Sequence, residues 1–211
     1  MFINPLQTVI DVLNTHHRHF FEGQKFAEMT DQPTPEDSRA WSQILISVLT
    51  GKPGLARQKG QDLADGSDVK AANAWSSIDK VRFNGVIKAG TKSNLSGSMA
   101  YLDQMPYLFF VLWDREPLVQ MERVRVWIVR SQNDKLFRDM ANKWYQLHSA
   151  GIIKSDNLQL HPPVNQDNNM LTNNCGNLIY PLLFKAEWNG VTYVPSYYNP
   201  DVLINGECFL P

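Results

Sequence analysis

Seven consecutive apolar residues, Tyr107-Leu108-Phe109-Phe110-Val111-Leu112-Trp113, follow Pro106. A strand with one wet face alternates apolar and polar side chains, so an unbroken run of this length has to be covered on both faces. It predicts a central strand of a sheet with further layers above and below. Arg123-Val124-Arg125-Val126-Trp127-Ile128-Val129 alternates and then becomes continuous, which predicts a second strand.

Helical periodicity surrounds these strands. Leu6, Val9, Val12, Leu13 and Phe20 after Pro5 predict a helix over about residues 5–21, with His16, His17 and His19 at its end, where cations suit the helix dipole. Three clustered histidines also raise a metal site, but helix geometry does not aim all three at one centre. Thr34-Pro35-Glu36-Asp37 reads as a helix start, with Thr34 as cap and Asp37 in the capping-box place. Trp41, Ile44, Leu45, Val48 and Leu49 then form a buried stripe that Gly51 and Pro53 end. Leu136, Phe137, Met140, Trp144 and Leu147 predict a helix over about 134–149, stopped at Gly151. A short strand at Leu158–His161 and a hairpin joining Leu182–Trp188 to Val191–Pro195 complete the pattern. Residues 61–72 read as a hairpin, and the Gly, Ser and Asn-rich stretch 84–98 as turns and loop. The whole is an α/β chain with a mixed central sheet flanked by helices.

With 211 residues, 43% of them hydrophobic, the chain fits one domain, with a helical part over 1–55, a core over 56–164 and a loop and hairpin elaboration over 165–211. Twenty basic and 21 acidic side chains leave a formal charge of −1, so any polyanion-binding surface has to be local. Cys175 and Cys208 are too few for a disulfide framework and make no zinc site at the usual spacings. The start lacks a basic segment followed by an apolar run, and no stretch approaches the roughly 20 apolar residues of a membrane span. The expectation is a soluble cytoplasmic protein.

Chemistry concentrates in Gln61-Asp62-Leu63-Ala64-Asp65-Gly66-Ser67-Asp68-Val69-Lys70. Along a strand, Asp68 and Lys70 share one side while Val69 faces the other and can pack inward. A two-residue turn at Asp65-Gly66 sends Asp62 to the opposite face. A three-residue loop, Ala64-Asp65-Gly66, with Gly66 left-handed, sets Asp62 across from Asp68. In that register the carboxylates repel unless a cation lies between them. Mg2+ accepts carboxylate oxygens and acidifies water, while Lys70 can hold that water and offset phosphate charge. The same acids also suit an ordinary Asp-Gly turn.

The arrangement Asp62, then Asp68-Val69-Lys70, resembles the PD-(D/E)XK nuclease superfamily. The resemblance implies Mg2+, for which Mn2+ can substitute, held by Asp62, Asp68 and the Val69 carbonyl, with Lys70 positioning the attacking water. Gln61 stands where the family has proline, which leaves Asp62 and Asp65 as alternatives for the first ligand. A further acid on the preceding helix would be Glu36, although acids suit helix starts in any case. Asp65 to Trp75, together with Arg82-Phe83-Asn84-Gly85, is similar to type II restriction endonucleases of the MamI kind. That implies sequence-specific hydrolysis of double-stranded DNA, by a homodimer if a two-fold site is read by a two-fold protein. A nicking or repair nuclease of the same fold, or a DNA-binding module without chemistry, are the alternatives.

DNA affinity requires cations near the backbone. Lys52, Arg57 and Lys59 precede the acidic segment, and Lys80, Arg82, Lys88 and Lys92 follow it, interleaved with Asn84 and Asn94. Arg and Asn can read base edges with paired hydrogen bonds and Lys suits phosphates, so Arg57, Lys59, Asn73, Arg82, Asn84, Lys88, Lys92 and Asn94 are the candidates for DNA contact. The Asn-rich run at 165–169 reads either as a second base-reading segment or as a polar loop.

Overall fold

The structure, a computed structural model, describes residues 4–30, 32, 37–55, 61–75, 77, 79–89 and 99–203. In chain order its elements are α1 (Pro5–Met29), α2 (Arg39–Thr50), β1 (Asp68–Asn73), β2 (Phe83–Lys88), α3 (Ala100–Asp103), β3 (Leu108–Arg115), β4 (Glu122–Val129), α4 (Lys135–Ser149), β5 (Asn157–Leu160), β6 (Met170–Asn173), β7 (Gly176–Ile179), β8 (Leu182–Trp188) and β9 (Tyr193–Tyr198), closed by a 3-10 turn, Pro200–Leu203.

The apolar run becomes β3, second in a five-stranded sheet ordered β1-β3-β4-β8-β9. The β1–β3 pair is parallel and the others are antiparallel, so the expected mixed sheet forms. Both faces of β3 are covered because its side chains alternate between two cores. Phe109, Val111 and Trp113 pack with Val9, Leu13, Leu45 and Leu49 of α1 and α2. Leu108, Phe110 and Leu112 pack with Phe137, Met140 and Trp144 of α4 and with Phe83 and Leu158 of the β2–β5 ribbon. Each buried side chain of this size contributes roughly 1.5–3 kcal/mol, which makes β3 the spine of the fold.

Several expectations change. The first helix continues to Met29, and His16 lies in its middle rather than at its end. There it is buried and stacks on Trp113 at 4.2 Å, with Trp41 and Trp75 at 5.4 and 5.3 Å. Burial first, then the charges of His17 and His19, lowers its pKa to about 4, so it serves as a neutral aromatic core residue. The second helix begins at Arg39 with Ser38 at its cap, later than its capping signature suggests, and Ile44 is exposed while Ser42 and Ile46 are buried. Ser42 is polar yet belongs inside, because its Oγ accepts the Trp113 indole N–H at 2.9 Å and ties α2 to the sheet. Gly51 closes this helix at φ +68°.

The stretch read as turns and loop from 84 instead contains most of β2, which pairs antiparallel with β5. A further ribbon, β6–β7, forms where only a polar loop was expected. The run 165–169 is tied to the sheet by buried arginines. Arg123 donates to the Gln166 carbonyl at 2.8 Å and to Asp167 at 2.7 Å, and Arg125 donates to the carbonyls of Gln166 and Asn168, both at 3.0 Å. These contacts anchor the segment to the sheet, mainly through its backbone carbonyls. Among the described residues no helix is long and apolar enough to cross a membrane.

Candidate active site

The acidic segment folds as the three-residue loop, but not as a hairpin. Gly66 N–H donates to Leu63 O at 3.0 Å and Leu63 N–H to Ser67 O at 3.1 Å, closing a loop of Ala64, Asp65 and Gly66. Gly66 sits at φ +93° with the Gln104 carbonyl 3.1 Å from where a β-carbon would stand, so both conformation and space favour glycine. The chain before the loop pairs elsewhere. Leu55 N–H donates to Asp62 O and Ala64 N–H to Pro53 O, both at 2.9 Å, while β1 takes β3 as its partner. The apolar β3 has a stronger claim on β1, since Val69 joins Phe109 in the core, than a polar strand of three or four residues could make.

Asp62 nevertheless reaches β1 through its side chain. Its Oδ2 accepts the Val69 N–H at 2.9 Å and its Oδ1 accepts the Gln43 side-chain amide at 2.7 Å. Asp68 is buried at the start of β1, its Oδ1 accepting its neighbour's N–H at 3.0 Å and its Oδ2 bonded to the Lys70 ammonium. Lys70 is therefore on the same side of the strand as Asp68, as period-two alternation requires. Burial, then the hydrogen bond and charge of Asp68, pushes Asp62 up to about 7, against the opposing Val69 N–H and Lys70. Two carboxylates are thus crowded into a partly dry site with one ammonium beside them.

Asp65 is elsewhere. It pairs with Lys52 and accepts the Ser67 N–H at 3.0 Å, contacts that lower its pKa against the effect of burial. Of the alternatives, Asp62 is the acid beside Asp68. Glu36, Arg57, Lys59, Lys92 and Asn94 lie outside the described residues. Asn73, Arg82 and Asn84 come together along one open cleft of about 500 Å3 at the far end of β1. Lys88 does not join them; it ends β2, where its carbonyl accepts the Tyr145 hydroxyl at 3.4 Å.

Two residues escaped sequence reasoning. Gln43 is a polar residue on the rim of the buried stripe of α2, one turn from Ile46, and that position was the available signal. Tyr101 comes from the four-residue α3, too short to show a period. Burial first, then the charges of Asp68, Tyr145 and Asp62, pushes its phenol up to about 12, so a protonated hydroxyl faces the acids' field.

The donor set suits a hard divalent cation. No group of three or more His, Cys, Asp or Glu converges among the described residues. Two carboxylates with oxygen donors only match the way Mg2+ is held, by one or two acids with the rest water and substrate oxygens.

A model of the MamI restriction endonuclease family matches residues 25–197, which spans Gln43, the acidic loop, β1 and all but the last residue of the central sheet. The Type II restriction enzyme MamI of Microbacterium ammoniaphilum is 32% identical over 183 residues. That match covers 81% of this chain and 58% of the relative, so the chain spans little more than half the relative's length. No solved structure matches. On the match across most of its length, the chain belongs to the MamI restriction endonuclease family.

Proposed function

We propose that the chain is a type II restriction endonuclease that hydrolyses phosphodiesters of double-stranded DNA at a specific sequence, with Mg2+ or Mn2+ held by Asp62, Asp68 and the Val69 carbonyl. The observation that carries this reading is the pairing of Asp62 with Asp68, with Lys70 bonded to Asp68, at the start of β1. An ordinary turn acid faces water; here a buried acid crowds a second one, an arrangement that a cation relieves. Bound there, the metal supplies a Lewis acid that offsets charge on the scissile phosphate and acidifies nearby water.

The protein's own residues divide the remaining work. Gln43 and the Val69 N–H fix both oxygens of Asp62, so its carboxylate plane is set before a ligand arrives. Lys70 holds the attacking water and lends positive charge as it builds on the phosphate oxygens. A second copy of the chain would supply the second cut across a two-fold DNA site.

Supercoiled plasmid incubated with protein and Mg2+ tests this reading. Linear product with ends at defined positions is expected. Nicked circles alone would favour a monomeric nicking enzyme of the same fold, and untouched plasmid that still binds in a salt-dependent way would favour a module without chemistry.

A further inference from the structure

The cleft of about 500 Å3 at the far end of β1 lies outside the catalytic cluster and carries a different chemistry. Arg39, at the start of α2, and Arg82, just before β2, face it as exposed guanidiniums that make no ion pair among the described residues. Arg82 spends one donor on the Lys80 carbonyl, a long contact of 3.4 Å. Asp37 and Asp79 line the same cleft; Asp37 Oδ1 accepts the Arg39 backbone N–H at 3.0 Å, and neither acid forms an ion pair with either arginine. Asn73 lines the cleft as well. Its Oδ1 is committed to the Trp75 N–H at 2.8 Å, while its Nδ2 is buried and finds no partner among the described residues.

This mixture discriminates between ligands. A phosphate offers acceptors only, and two acids in the wall would repel it. The edge of a base pair offers acceptors and donors side by side: guanine N7 and O6 accept, and the cytosine amino group donates. Two arginines outside any ion pair, an unpartnered amide N–H and carboxylates outside any ion pair supply both kinds of partner for that edge. An unpaired buried amide N–H also costs free energy until something accepts from it.

We propose that this cleft reads base edges of duplex DNA in the major groove, with Arg39 and Arg82 on guanine, Asn73 donating to a base acceptor, and Asp37 or Asp79 accepting from cytosine. The inference rests on the nuclease reading above.

The test is selection from a randomised duplex library by the full chain, with Ca2+ in place of Mg2+ to hold DNA uncut, repeated with Arg39→Ala and Arg82→Ala. Both arginines are exposed, so the variants keep the fold. The expected result is a wild-type motif in which each variant relaxes preference at a single G·C pair by on the order of 10–100-fold, with the salt dependence of binding unchanged. A motif that survives in both variants overturns the inference, whether affinity is unchanged or falls uniformly with a salt slope reduced by about one. A wild type that binds DNA but enriches no motif overturns the sequence-specific reading itself, which separates the two failures.

Discussion

The side-chain amide of Gln43 donates to Asp62 Oδ1 across 2.7 Å, joining α2 to the acidic loop nineteen positions later in the chain. Together with the Val69 N–H on Oδ2, it leaves the Asp62 carboxylate little freedom to turn. A group that orients a ligand without touching the metal typically contributes 10–100-fold to metal affinity or activity. Gln43→Ala is expected to weaken Mg2+ binding by roughly 10-fold or more at unchanged thermal stability, read by calorimetric titration. Equal affinity in the two proteins would remove the positioning role.

Asp114 is fully buried and accepts from Arg123 Nε at 2.9 Å, Arg125 Nη2 at 2.8 Å and the Asn165 N–H at 2.9 Å. Removing it strands two guanidiniums in the interior. Asp114→Ala is expected to cost about 3–5 kcal/mol of folding stability in urea unfolding and to loosen residues 163–169. A loss below about 1 kcal/mol would mean that the arginines are satisfied by the loop carbonyls alone.

His16 supplies a pH dependence with a definite sign. Its folded-state pKa, about 4, lies below the ordinary 6.5, so the unfolded chain binds the proton more tightly. The stability its burial confers is complete above pH 6.5 and is lost as pH falls from there towards 4, on the order of 3 kcal/mol in all. Urea midpoints between pH 7.5 and 4.5 should fall in wild type and fall less in His16→Phe, which keeps the stack on Trp113. Parallel curves would assign the acid sensitivity to other groups.

The sheet was largely legible because its signals are local. Seven apolar residues in a row announce β3, and the alternation of β4 survives in the finished fold even though its Arg123 and Arg125 point into the interior. That inward turn was not legible, since an arginine in an alternating strand reads as a solvent residue until its partner, Asp114, is placed across the ladder. The loop at Gly66 was legible from turn chemistry, but the partner of β1 was not. Strand pairing is decided by which surface buries Val69, and that surface lies forty residues further on at Phe109. The spacing of Asp62 and Asp68 left two turns open, of which only the three-residue loop brings them together, whereas Gln43, Tyr101 and the neutral core role of His16 depend on helices docking from elsewhere.

The central claim is that Lys70, beside Asp68 and Asp62, acts in cutting DNA rather than in holding it. The most direct measurement is digestion of unmethylated phage DNA by wild type and Lys70→Ala, each with Mg2+ and with a chelator, alongside binding of the fragments. The account predicts discrete fragments from wild type with Mg2+ alone, and a variant that still binds the same sequence but leaves it intact. Fragments from Lys70→Ala at the wild-type rate, or cleavage that persists in chelator, would contradict it.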